Sequence, residues 1–126
     1  MAYTEQPLHI GVVSVSKPAA SDLSTKQYYF VDVNSAGNVE LAGAGASFVG
    51  VLGNKPTAAG MAAEVMISGV MPVVCGGTVA TAAVVKIDSA GKAVAASSGD
   101  KAVGRAMSDG ASGTIANILL QPHTMA

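Results

Sequence analysis

The segment Val31–Gly50, VDVNSAGNVELAGAGASFVG, is repeated without a gap at Val85–Gly104, VKIDSAGKAVAASSGDKAVG. The repeat continues downstream, where Glu64–Ile67 matches Asn117–Leu120 after the deletion of one residue. A unit of this length is too long for a solenoid built from many short repeats. The duplication therefore predicts two pseudo-equivalent halves that close around one core.

The boundary between the two copies is predicted close to residue 69. Gly11-Val12 heads the first copy and Gly69-Val70 heads the second, which places the pseudo-repeats at about 10–68 and 69–121. A chain of 126 residues has the length of one compact domain. We expect a single β domain over 9–126, preceded by an N-terminal arm at 1–8.

The composition favours strands and turns. Half of the residues are apolar, mostly Ala and Val, and the chain has 15 Gly and no Trp. Short alternating segments between turn residues predict a small antiparallel β-barrel or a β-tulip-like sandwich. A short helix within 18–24 or near 58–63 is the local alternative. The predicted strands are His9–Val15, Tyr28–Val33, Val39–Ala42, Ser47–Leu52, Ala62–Ser68, Val70–Val74, Ala83–Ile87, Ala93–Ala96, Ala102–Met107 and Thr114–Gln121.

Two hairpins follow most directly from the repeat. The loops Asn34–Asn38 and Asp88–Lys92 share a central Ser-Ala-Gly and lie between alternating apolar residues. Such a loop is typical of a type I turn that ends on a left-handed glycine, here Gly37 and Gly91.

The sequence offers no arrangement of residues typical of a catalytic or cofactor site, so we expect neither enzymatic activity nor a cofactor. A single cysteine, Cys75, excludes an intrachain disulfide and a CxxC metal site. His9 and His123 stand near the two chain ends without nearby cysteines or clustered carboxylates, which makes a poor metal site. Seven scattered Lys and Arg against eight Asp and Glu argue against a nucleic-acid partner.

One uncharged stretch, Val65–Val85, is long enough to span a bilayer. Pro72 and the glycines at 69, 76 and 77 interrupt any helix there, and the first copy is polar at the same place. We therefore expect strands and no membrane partner. The beginning of the chain has no basic and apolar signal region, which predicts synthesis in the cytoplasm.

The second copy carries a family resemblance. Gly69-Val70-Met71-Pro72-Val73, Val85–Lys92, Val103–Met107 and Gly113–Leu120 together resemble the small capsid cement, or head decoration, proteins of tailed bacteriophages. The resemblance implies a β-tulip-like or barrel-like domain, commonly trimeric, which binds the outside of a mature head and reinforces contacts between major capsid subunits. It implies a place on the outer capsid surface of the virion, after synthesis in the host bacterial cytoplasm. It carries no catalytic residues.

The leader Ala2–Leu8 has two interpretations. It is either a frayed terminus or an arm that adds a strand to the edge of a neighbouring subunit. If it is an arm of a decoration protein, the candidate capsid contacts are Tyr3, Thr4, Gln6 and Leu8.

Three other functions remain open at the level of sequence. A tail, baseplate or fibre component has the same structural requirements as a decoration protein. A small β-barrel that binds carbohydrate would normally present several aromatic residues, and this chain has five Tyr and Phe and no Trp. A hydrolase built on a serine–lysine pair has the weakest support, because Ser14 and Lys17, like two similar pairs, fall in strand ends or turns.

Overall fold

The computed structural model describes residues 9–43 and 48–124, and this part of the chain contains strands and turns but no helix. The predicted fold class is confirmed: the chain is all-β, with a curled, barrel-like antiparallel sheet. The strands are β1 (Ile10–Pro18), β2 (Phe30–Val33), β3 (Val39–Leu41), β4 (Gly50–Leu52), β5 (Ala62–Val74), β6 (Val84–Ile87), β7 (Ala93–Ala95), β8 (Lys101–Ala106) and β9 (Ile115–Thr124).

The same order of strands occurs twice in the sheet. The sheet runs β3-β2-β4-β5-β9-β8-β6-β7, and β1 pairs with β5 as well. The first part of β5, Ala62–Ser68, pairs with β1 and β4, whereas its second part pairs with β9 and, at Val70, with Ile10 of β1. We call β1–β4 with Ala62–Ser68 unit 1, and Gly69–Val74 with β6–β9 unit 2. The boundary near residue 69 therefore falls inside one strand.

The registers of the two units coincide. Val51 pairs with Met66 in unit 1, and the aligned Arg105 pairs with Leu119 in unit 2. The ends of the units also match, because a parallel bridge joins Ala19 to Val39 in unit 1 and another joins Cys75 to Ala93 in unit 2. These bridges bring the first strand of each unit to its outermost strand and curl each half.

The two hairpins have the same internal hydrogen bonds. Asn34 Oδ1 accepts the N–H groups of Ala36 and Asn38, both at 3.0 Å. Asp88 Oδ1 accepts the equivalent N–H groups of the second loop, at 2.8 and 2.9 Å. Gly37 and Gly91 have φ values of +83° and +82°, where a side chain would be strained. The shared side-chain acceptor and the shared glycine explain why both hairpins could be predicted.

Apolar residues form two clusters, one of which extends across both units. The smaller cluster lies inside unit 1, around Val31, Val65 and Leu52. The larger cluster combines the interior of unit 2, including Met71 and Val73, with residues from unit 1. Those unit 1 residues are Phe30, Ala42, Val51 and Met66.

Several predicted strand boundaries were wrong. Ala62–Ser68 and Val70–Val74 form one continuous strand, because Gly69 has a φ of +98° and continues the chain through a kink where a turn was expected. The first strand does not end at Val15 but continues to Pro18, because an edge position tolerates the missing N–H of proline. Tyr28 lies outside β2 with a φ of +70°.

The upstream part of the repeat alignment was also wrong. Ser14 pairs with Met66, and Val70 pairs with Leu119, which matches Met66 in the repeat. Ser14 therefore corresponds to Val70, a position that the sequence alignment gave to Val12. The register of β1 shifts on both sides of Val13, and this irregularity displaces the alignment.

Glycine is required where two strands of each unit approach closely. A Cβ atom at Gly50 would collide with the carbonyl oxygen of Met66, and one at Gly104 would collide with that of Leu119. We expect Gly104→Ala to lower the free energy of unfolding by about 1–3 kcal/mol, because the backbone would have to move apart. Urea denaturation followed by circular dichroism measures this loss.

Gly43→Ala is the matched control for this prediction. A Cβ at Gly43 would meet no atom within 4 Å. Its stability should stay within about 0.5 kcal/mol of the parent, as is usual for an open surface position. Equal stability of the two variants would contradict the close approach at Gly104.

Candidate assembly surfaces

The contact between the two units is buried. Phe30, Val51 and Met66 lie side by side on the outer face of unit 1, and all three are fully buried. They belong to the same apolar cluster as Met71 and Val73 of unit 2. Burial of each large apolar side chain contributes about 1.5–3 kcal/mol. We call Phe30, Val51 and Met66 the docked face.

Backbone hydrogen bonds fix the two units at this contact. The N–H of Phe30 donates to the Gly91 carbonyl at 2.8 Å, and the N–H of Val74 donates to the Tyr28 carbonyl at 2.9 Å. Phe48 packs edge-on against Phe30, with ring centroids 5.6 Å apart. The contact therefore has both an apolar centre and directional bonds.

The equivalent face of unit 2 is not covered by the residues that the structure describes. Its residues Val84, Arg105 and Leu119 align with Phe30, Val51 and Met66, but Arg105 is exposed and the other two are half-buried. We call these three residues the open face. They adjoin a shallow groove, whose lining includes Thr81, Ala82, Arg105, Met107, Leu119 and Gln121.

Polar contacts hold the walls of this groove in place. Arg105 donates from Nε and Nη2 to the Ala82 carbonyl, both at 3.3 Å. Asp109 accepts hydrogen bonds from the backbone N–H and the hydroxyl of Thr81, at 2.7 and 2.8 Å. These two bonds hold the pKa of the Asp109 carboxyl below its usual value. Met107 adds an apolar side chain that is 52% exposed.

β1 is the second uncovered surface. Eight of its nine residues are exposed, and its apolar side chains Ile10, Val13 and Val15 are 58%, 55% and 43% exposed. Ala19 donates its N–H to Met61, on the β5 side, and Ala20 donates its N–H to Val39 on the other side. Backbone groups alternate along a strand, so those of Ser14 and Ser16 point away from β5.

The second copy shows how unusual this exposure is. Val15 corresponds to Met71, which is fully buried, and Ser16 corresponds to Pro72, which is also buried. A strand in the same place is thus covered in unit 2 and bare in unit 1. Large exposed apolar patches of this kind mark interaction surfaces.

The candidate site residues named from sequence fall in different places. Tyr3, Thr4, Gln6 and Leu8 lie outside the described residues, so their role as capsid contacts stays a prediction. The ring of His9 lies 6.2 Å from that of Tyr28. Within 9–43 and 48–124, no cluster of three or more His, Cys, Asp or Glu residues could hold a metal ion.

The remaining charged groups form local surface contacts. Asp32 and Glu40 are paired residues of the first hairpin. Lys86 and Asp100 form an exposed ion pair at 3.0 Å. The backbone N–H of Ser97 also donates to Asp100, and together these partners hold the pKa of Asp100 below its usual value.

The sequence contained a signal for the open face, because the apolar Val51 of the first copy is replaced by Arg105 in the second. The equivalent difference in β1, where Lys17 stands in the place of Val73, is visible only with the strand registers of the structure. A residue that is apolar in one copy and charged in the other indicates a face that is covered only once. No helix in the described part of the chain has the length and apolar character needed to cross a membrane.

Comparison with known proteins gives one informative result. The sequence matches no protein-family profile and no curated protein sequence. The fold is similar to the crystal structure of the N base of head fiber gp8.5 from bacteriophage phi29, with a TM-score of 0.73 and 15% sequence identity. The match covers 91% of this chain and 98% of the phage chain. At this identity, the similarity shows a shared fold.

Cys75 provides a test of the unit 2 interior. The side chain is fully buried, and burial raises the pKa of its thiol. We expect its reaction with a maleimide at pH 7.5 to be at least about a hundredfold slower than that of a free thiol, because both access and thiolate formation are reduced. Labelling in urea should be fast. Rapid labelling of the native protein would contradict the closed interior.

Proposed function

We propose that this chain is a structural protein of a tailed-phage head, which assembles as a homo-oligomer on the outer capsid surface and binds the major capsid protein. The observation that carries the proposal is the similarity of fold to the phage head fiber base, over almost the full length of both chains. The resemblance of residues 69–120 to head decoration proteins points to the same place in the virion.

The surfaces of the molecule suit this role. β1 and the groove beside Arg105 are exposed and partly apolar, and they lie at separate places on the fold. Many modest contacts that are repeated by symmetry give a high total affinity. A net charge of −1 limits repulsion between copies that are crowded on a shell.

We propose decoration, or cement, as the specific role: copies bridge neighbouring capsid subunits without covalent bonds, and a trimer is the favoured assembly. No enzymatic step and no cofactor belong to this role. A fibre base is the second candidate, and it is favoured by the similarity of fold to the N base of a phage head fiber. The two roles differ in what they do to the head.

Co-sedimentation with purified expanded heads of the phage that encodes this chain tests the proposal. We expect saturable binding to expanded heads, and a rise of several degrees in the temperature at which the heads break open. A protein that binds the intact head but not the broken one stabilises the intact head, by an amount that grows with the logarithm of its free concentration above the dissociation constant. Bovine serum albumin is the control for trapped protein.

The outcomes separate the candidates. Binding without any change in head stability favours a fibre base over cement. Failure to bind heads, together with binding of the free protein to a sugar array, would overturn the head proposal in favour of the carbohydrate-binding alternative.

The N-terminal arm allows a second test. Deletion of residues 1–8 should weaken head binding at least about tenfold if Tyr3, Thr4, Gln6 and Leu8 contact the capsid, since buried aromatic and apolar anchors dominate interface energies. The fluorescence-monitored melting temperature controls for folding, and the single variant Tyr3→Ala should reproduce part of the loss. Unchanged head binding would show that the arm is not a capsid contact.

A further inference from the structure

The chain contains its own example of how one unit binds another. The docked face of unit 1 is buried in a cluster with Met71 and Val73, which lie on the first strand of unit 2. Two surfaces of the same kinds are left over in the described part of the molecule, and they flank Val70, which pairs with Ile10 of β1 and with Leu119 of unit 2. Unit 2 has an open face, and unit 1 has β1, the strand that corresponds to Gly69–Val74.

We propose that a second copy of this chain places its open face and groove against β1, which repeats between copies the contact that joins the units within one chain. This inference rests on the proposed homo-oligomer and names the surfaces that form it. The occupant is a second copy because the duplication supplies a matching pair: the open face aligns with the docked face, and β1 aligns with the strand that meets it.

The burial pattern supports this assignment at five aligned positions. Phe30, Val51 and Met66 are fully buried, whereas Val84, Arg105 and Leu119 are half-buried or exposed. On the other side of the contact, Met71 and Val73 are fully buried, whereas the aligned Val15 and Lys17 are exposed. Each surface that is covered inside the chain therefore has an uncovered equivalent.

The contact between copies is weaker than the internal one, for reasons visible in its residues. Tyr28, Phe30 and Phe48 correspond to the smaller Ala82, Val84 and Ala102. Val74 donates its N–H to Tyr28 across the internal contact, but the aligned residue in β1 is Pro18, which has no N–H. Such an interface suits subunits that assemble at high local concentration.

The geometry of the contact limits the assemblies that it can form. The two surfaces are different, so the interface is heterologous: each copy gives its open face to one neighbour and receives another on β1. A heterologous interface forms a closed ring when its rotation closes and a filament when it does not. A closed ring is consistent with the proposed trimer.

The test uses one charge substitution on each surface. We choose Val15→Asp on β1 and Met107→Asp in the groove, because both side chains are substantially exposed and tolerate change in the free subunit. Met61→Asp is the matched control, since Met61 is an equally exposed apolar residue in the turn before β5. Sedimentation velocity over a range of protein concentrations measures the dissociation constant without heads.

We expect Val15→Asp and Met107→Asp each to weaken self-association at least about tenfold, and Met61→Asp to leave it unchanged. An equimolar mixture of the two weakened variants should form a one-to-one dimer, because each retains the surface that the other has lost. The amides of Ser14 and Ser16 should exchange hydrogen more slowly in concentrated than in dilute wild-type protein.

Three results would overturn the inference. Wild-type protein that stays monomeric in the millimolar range would refute it together with the proposed oligomer. Self-association that is unchanged in both Val15→Asp and Met107→Asp, or that is lost only when residues 1–8 are deleted, would refute these two surfaces as the interface. The proposed oligomer itself would stand. Weakened variants that do not associate in the mixture would show a symmetric contact. Head binding is measured separately, so its failure is distinguishable from all three.

Discussion

Met66 and Met71 lie in one apolar core although they are five residues apart in the same strand, a spacing that normally places side chains on opposite faces of a sheet. Gly69, with a φ of +98°, makes this arrangement compatible with a continuous strand. A Cβ there would also press against the carbonyl oxygens of Ile10 and Gly11 at 2.5 and 2.6 Å. Gly69 thus allows β5 to belong to both units and allows the backbone of β1 to lie close beside it. The contact between the units depends on this close approach.

Duplication explains the regular features of the structure, and divergence between the copies explains its surfaces. The hairpins at Gly37 and Gly91, and the close approaches at Gly50 and Gly104, are equivalent in both units. The large side chains are not: Phe30 and Phe48 have Val84 and Ala102 as their counterparts. Phe30 belongs to the apolar cluster that unit 1 shares with unit 2. The smaller counterparts leave the open face for another partner.

The hairpins could be predicted because their information is local: a side-chain acceptor and a left-handed glycine within five residues specify the turn. The continuity of β5 could not be predicted, since a glycine between two apolar segments looks the same in the sequence whether it ends a strand or kinks it. The exposure of β1 could not be predicted from the sequence for a different reason. Its alternation of Val and Ser is that of a half-buried strand, and only the structure shows that eight of its nine residues are exposed, while Val12 packs against the core. The alternation of apolar and polar residues indicates which residues could be buried, but the tertiary contacts determine which of them are buried.

A role on a phage head explains why the domain exposes two partly apolar surfaces, and why its described residues form no cluster of His, Cys, Asp or Glu side chains that could hold a metal ion. Cryo-electron microscopy of expanded heads incubated with the protein tests this claim most directly. The account predicts additional density on the outer surface of the head, into which several copies of the two-unit domain fit with β1 of one copy against the groove of the next. A head surface identical to that of untreated heads, at protein concentrations in large excess over the capsid, would contradict it.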